Sequence, residues 1–274
     1  MAKEVIDGKK IEKKLKSRNP VIEFDKLKMY FREPYVIDLE NTDGSTTLIQ
    51  PSIGDIIELG EKRFYATLNI FTTNTTAFRL QLWDQGLDWN DVSDFDLFIM
   101  LIGNADKEIY QTFLPDIDFS RFGIFSKSIP DSEEKIKVLY DVENKIEINE
   151  QVYFHMSQYL RNTFNIFPDE KMTQDKVLKK WFIEKDRREI ENRKSKKDEE
   201  TENGLLPVIS GCINHPGFKY KTSELKNLGV YQFYDSVKRL QVYESTTALQ
   251  RGMYSGFMDT KGINPDDYNF MRVI

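Results

Sequence analysis

The chain has 274 residues, enough for one large domain or two modest ones, and enough to bury a core without covalent staples. Its 39 basic and 45 acidic residues leave a net charge of −6, which opposes general nucleic-acid binding; its single cysteine, Cys212, excludes an intrachain disulfide. The longest apolar run, residues 97–102, falls far short of the ~20 residues a membrane helix needs, and the start Met1-Ala2-Lys3-Glu4 lacks a signal peptide's apolar segment. A cytoplasmic protein with no membrane partner is expected.

Residues 1–19 carry Lys9, Lys10, Lys13, Lys14 and Lys16 and read as a basic N-terminal arm. From Lys28 to Ile49 a strand period appears: Met29, Phe31, Tyr35, Ile37 and Leu39 alternate, bent at Pro34. Asn41-Thr42-Asp43-Gly44 predicts a turn, and Thr46–Ile49 a return strand. Ser52 is placed to cap a short helix holding Ile53, Ile56, Ile57 and Leu59, stopped near Gly60. Phe64, Leu68 and Phe71 keep helical spacing, Thr76–Trp83 predicts another short helix, and Val92, Phe95, Phe98, Ile99 and Ile102 form an apolar stripe ending near Gly103.

Residues 108–149 read as extended, with a hairpin from the alternation of Ile136, Val138 and Tyr140 and then Ile146 and Ile148. Beyond Glu150 the pattern is helical. Tyr153, Met156, Leu160, Phe164 and Phe167 share a face stopped by Pro168, and Thr173 caps a helix with Val177, Leu178, Trp181 and Phe182. Residues 185–204 are nearly all charged or polar and predict a solvated helix extension that gives way to a linker. Leu205, Leu206, Val208 and Ile209 form an apolar patch broken by Pro207; Val230, Phe233, Val237 and Leu240 form a helical seam, and Pro265 opens a last short helix. The organisation expected is therefore a basic arm (1–19), an α+β domain (20–149) with an N-terminal β-hairpin, helices and a small antiparallel sheet, a helical region (150–184), a charged linker (185–204) and a mainly helical C-terminal region (205–274).

Catalytic motifs are scarce. His155 sits on an expected helix, and the Cys212/His215 pair supplies only half a zinc site, so no metal is expected there. No Gly-x-Ser-x-Gly elbow and no phosphate-binding glycine loop occurs. One acidic constellation stands out: Asp84, Asp88, Asp91, Asp94 and Asp96, with Asp116 and Asp118 beyond. Clustered carboxylates hold divalent cations in metal-dependent enzymes, but this spacing lacks a calcium loop's glycine and terminal glutamate, and helix capping accounts for it better. No catalytic residue, cofactor or metal is assigned. The chemistry left is recognition, with Trp83, Trp89, Phe95, Trp181, Phe182, Val230, Phe233, Val237 and Leu240 as candidate partner-binding residues.

The stretch Leu80-Gln81-Leu82-Trp83-Asp84-Gln85-Gly86-Leu87-Asp88-Trp89, with Asp94-Phe95-Asp96-Leu97-Phe98, resembles tail and baseplate assembly proteins of large tailed bacteriophages, as does the C-terminal run Tyr231–Gly256. The resemblance implies an assembly chaperone or, alternatively, a permanent component of the virion baseplate or neck. Its partners would be tape-measure, tube or baseplate subunits or further copies of itself, met in the host cytoplasm. It carries over no catalytic residues.

Overall fold

The computed structural model describes residues 22–39, 44–128, 135–195, 204–256 and 261–272. The basic arm, the turn residues Asn41–Asp43 and the second half of the charged linker lie outside them.

Asp25 opens the described chain by accepting the N–H groups of Leu27 (2.9 Å) and Lys28 (3.2 Å), which caps a short helix, α1 (Lys26–Tyr30). Met29, expected on a strand, is therefore buried on a helix. A local carboxylate cap satisfies the backbone here without a pairing partner, and the strand starts only beyond Pro34. The hairpin follows as read: β1 (Tyr35–Asp38) pairs antiparallel with β2 (Ser45–Leu48), Ile37 opposite Thr46.

Ser52 and Asp55 form a reciprocal capping box on α2 (Ile53–Leu59): Asp55 N–H donates to Ser52 Oγ (3.1 Å) and Ser52 N–H to Asp55 Oδ2 (2.7 Å). Gly60, at φ +87°, turns the chain directly into α3 (Glu61–Thr72), whose Phe64, Leu68 and Phe71 have no exposed surface. Next come α4 (Arg79–Asp84), α5 (Asp94–Leu101), capped by Ser93, and α6 (Lys107–Tyr110), a turn of helix where the sequence pattern reads as extended. Asp106 makes the difference by capping α6 through the Glu108 N–H (3.1 Å).

A three-stranded antiparallel sheet follows in the order β3-β4-β5: β3 (Phe122–Ser128), β4 (Lys135–Asp141) and β5 (Ile146–Ile148). Ile124 lies opposite Leu139, and Leu139 opposite Ile148. The pleat therefore turns Phe122, Ile124, Leu139 and Ile148 to one face, and Phe125, Ile136 and Tyr140 to the other.

The first of these faces meets α7 (Glu150–Phe164), the central beam of the molecule. Asn149 caps it through the Val152 N–H (2.9 Å), and its Val152, Tyr153, Met156, Tyr159, Leu160 and Phe164 are buried against α3 and α5. Tyr153 stacks on Phe98 at 4.6 Å between ring centroids. The beam ends at Asn165, at φ 54°, before the expected stop at Pro168. Asparagine tolerates this left-handed conformation, and Phe167 is left exposed.

Five more elements complete the chain: α8 (Lys176–Ser195), α9 (Leu205–Asn214), α10 (Thr222–Leu225), α11 (Val230–Tyr254) and a 3-10 turn at Pro265–Tyr268. Pro207 does not break the apolar patch; it falls in the first turn of α9, where the missing N–H costs no helical bond. Leu205, Cys212, Leu225, Val230 and Phe233 join the same buried cluster as Phe64 and Leu160. The joint with the N-terminal half is also stitched by backbone: Ile53 N–H donates to Leu228 O (3.0 Å) and Gly54 N–H to Lys226 O (2.8 Å). Gly229 is required there, because a Cβ would come within 2.6 Å of the Arg32 stem whose guanidinium bonds Gln50 O (2.8 Å) and Asn227 O (3.2 Å). The fold is α+β with a mainly helical C-terminal region. No helix among the described residues is long and apolar enough to cross a membrane.

Candidate interaction surface

Between α7 and α8 the chain runs without regular structure but is fastened along its length. Asn74 Nδ2 donates to Asp169 O (3.0 Å), Trp89 Nε1 to Lys171 O (3.1 Å) and Asn90 Nδ2 to Thr173 O (2.7 Å). Asp175, rather than Thr173, then caps α8, accepting the N–H groups of Val177 (2.7 Å) and Leu178 (3.2 Å). The first half of the charged stretch, 185–195, is helical and continues α8.

One side of α8 is clamped to α4 and the loop after it. Arg79 forms a two-pronged pair with Asp186, both contacts at 2.5 Å, while its guanidinium lies 4.7 Å from the centre of the Phe182 ring. Lys179 pairs with Asp88 and lies over Trp89, and Arg187 pairs with Asp84 at 2.6 Å. Inside this ring of charge Ile183 joins Leu80, Leu82, Trp89 and Leu97 in a small second core, with Trp83 and Phe182 at its margin.

The acidic constellation thus resolves into separate partnerships. Asp84 and Asp88 receive α8. Asp94 accepts the Thr75 N–H (3.0 Å) and approaches Arg161 (3.7 Å); burial pushes its carboxyl up, opposed by those two groups. Asp96 takes Lys137 (2.5 Å), and Asp118 takes Lys107 (2.7 Å) and Ser120 (2.6 Å). These carboxylates are turned to different bases and do not converge on one point. His215 is likewise engaged, with Nδ1 accepting the Gly217 N–H (3.0 Å) and Nε2 3.2 Å from Glu244; Cys212 is buried in the main core, which pushes its thiol up.

Several of the expected partner-binding residues are interior. Trp89, Phe95, Val230 and Phe233 are buried, so they present no surface: Trp89 fills the second core, Phe95 packs on Tyr153, and the Val230–Leu240 seam closes on α7 and the main core of the same chain. Val237 and Leu240 are half-buried on that seam. Trp83 and Phe182 are half-buried where α4 and α8 meet. Trp181 alone of the nine is exposed, at 54%. Beside it stand Leu178 (46%) and Val177 (75%), one turn earlier on the same helix face. Lys185 lies 5.7 Å from the Trp181 ring.

Residues 194–274 match a family model described as the YomV second domain. YomV is a phage-associated family, and the matched segment is similar to that domain over less than a third of the chain, from the last turn of α8 through α9, α10 and α11 to the C-terminus. No curated protein and no solved structure matches the chain. The YomV match includes the Tyr231–Gly256 run that carried half of the bacteriophage resemblance, while Leu80–Phe98 and the exposed face of α8 lie N-terminal to it. The comparison supports a phage association and says nothing of tails or baseplates.

Proposed function

We propose that this chain is a non-enzymatic protein-binding factor of a bacterial virus, acting in tail or baseplate assembly in the host cytoplasm. The exposed face Val177-Leu178-Trp181, carried on a helix that the Asp84, Asp88 and Asp186 pairs hold in place, is the observation that supports it. A large apolar side chain fixed on a pre-positioned helix loses little freedom on binding, and tryptophan is enriched among residues that carry binding energy. The fitting partner is an apolar groove on a tape-measure, tube or baseplate subunit, which would take α8 as a helix laid in a trough.

Co-expression with the tail proteins encoded in the same viral genome tests the reading. A complex that co-elutes on size exclusion is expected, weakened at least tenfold by Trp181→Ser, the size of effect a binding hot spot gives. Trp181→Ser should leave thermal melting within about 0.5 kcal/mol of wild type, since the ring is half in solvent. No complex with any tail protein, or one indifferent to Trp181→Ser, overturns the proposal. Mass spectrometry of purified particles then separates an assembly factor, absent from the virion, from a permanent baseplate or neck component.

A further inference from the structure

The sheet carries a second surface, remote in chemistry from α8. β3 is paired with β4 along one edge, from Phe122 opposite Asp141 to Ser128 opposite Lys135, and among the described residues no strand borders its other edge. An open edge is a template for another strand, and monomeric proteins ordinarily blunt theirs with short length, proline, bulges or charge. β3 has little of this protection. It is seven residues long, its register is unbroken, it has no proline, and its one charge, Lys127, is drawn across the sheet to Glu147 at 3.2 Å.

Each side of this strand carries one exposed large apolar residue. On one side Ile124, 61% exposed, stands with Leu139 at a cleft of about 310 Å³ lined also by Ile99, Ile102, Phe119 and Phe122. On the other, the Phe125 ring folds over Gly123, where a Cβ would lie 2.8 Å from it, and meets Tyr140 edge-on at 6.0 Å. Phe125 remains 47% exposed.

We infer that β3 is a self-association edge, at which two copies of this chain pair their β3 strands antiparallel about a two-fold axis at Phe125 and join their sheets into one. Strands that pair must oppose residues of the same face, so only every second register is allowed. The register centred on Phe125 sets that ring opposite Phe125 of the second copy, Ile124 opposite Ser126, and Gly123 opposite Lys127. Each lysine then faces a glycine, so no like charges oppose each other, and the aromatic pair adds a cross-strand contact. A shift of the axis to Ser126 would oppose Lys127 to the Phe125 ring, and a shift to Ile124 would separate the two rings. The net charge of −6 disfavours close approach of two copies over much of the surface, but along this edge the Lys127–Glu147 pair leaves the strand neutral. A two-fold, self-complementary edge fits a second copy better than an unrelated strand.

Sedimentation of the full chain across a wide concentration series should show a reversible monomer–dimer equilibrium. Phe125→Lys, which would place two ammonium groups opposite each other, should weaken the dimer at least tenfold while the chain still melts in one cooperative transition by circular dichroism. A second variant reports the register directly. In a Cys212→Ala background, oxidation of Phe125→Cys should link two chains through one disulfide, because residues on the axis lie within reach of each other. Lys127→Cys, opposite a glycine, should not cross-link. A chain that stays monomeric throughout, a dimer that survives Phe125→Lys, or a dimer in which Phe125→Cys fails to link overturns the inference. Because α8 takes no part, loss of tail-protein binding in Trp181→Ser with the dimer intact separates the two proposals.

Discussion

The successive helices α7 and α8 are held by opposite physics. Nine of the fifteen residues of α7 are buried, and the hydrophobic effect places it in the centre of the molecule. α8 buries Lys179 and Ile183 and is held by charge: Arg79 to Asp186, Lys179 to Asp88, Arg187 to Asp84. A helix located by its apolar face has none to spare. One located by ion pairs on its inner side can keep apolar residues on its outer side, and Val177, Leu178 and Trp181 are the result. The comparison also implies unequal stability, with α7 opening only when the whole fold opens and α8 able to lift away alone.

The largest effect should come from the one charge α7 does bury. Arg161 donates through Nε to Thr72 O (2.8 Å) and through Nη2 to Thr73 O (2.7 Å), closing the end of α3, and it lies beside the partly buried Asp94. Arg161→Met removes these donors and leaves two carbonyls and a carboxylate short of partners. A loss of about 3–5 kcal/mol is expected, read as a lower urea midpoint for the entire molecule. A loss confined to one segment would break the claim that α7 belongs to the global unit.

Asp186→Asn should act next in size and locally. It strips a carboxylate from the largely enclosed Arg79 guanidinium and should cost about 1–3 kcal/mol. Amide hydrogen exchange should speed up along α8 while α7 stays protected. Equal acceleration in both helices would show that the clamp is part of the main fold and would remove the distinction between them.

What the sequence makes legible follows the same division. Local devices can be read directly: the Ser52 cap, the Gly60 stop, the β4–β5 alternation and the helical spacing of Phe64, Leu68 and Phe71 all need only neighbouring residues. The clamp cannot be read in this way, because Arg79 and Asp186 stand 107 positions apart and their pairing depends on the path of α7 between them. The acids from Asp84 to Asp96 are conspicuous in the sequence, yet the bases that claim them, Lys137, Arg161, Lys179 and Arg187, are scattered downstream. Aromatic richness marks Trp89 and Phe95 as important without showing which way they face, and the Val230–Leu240 seam has the right spacing for a partner helix that proves to be α7. The strand β3 lies inside the stretch read as extended but is not singled out as a strand, because Gly123, Ser126 and Ser128 interrupt its apolar alternation, and its exposure depends on what does not pack beside it.

The smallest effect concerns surface charge outside α8. Lys107 first, then Ser120 through its hydroxyl and N–H, hold the Asp118 carboxyl well below the usual carboxylate range. The neighbouring Tyr110, whose hydroxyl donates to Asp118 at 3.4 Å, has its phenol pushed up to about 12, chiefly by burial. A carboxylate depressed in the folded state stabilises fully above its unfolded value of about 3.9, and that contribution drains away as pH falls towards the folded value. Asp118→Asn should therefore cost less than about 1 kcal/mol at pH 7, as exposed pairs do, and the gap from wild type should close steadily as the pH falls below about 4. Denaturation midpoints of the two proteins at neutral and acid pH measure it directly. A gap that stays open in acid would mean that Asp118 acts through its shape and hydrogen bonds rather than its charge, and charge-based positioning would then be peculiar to α8.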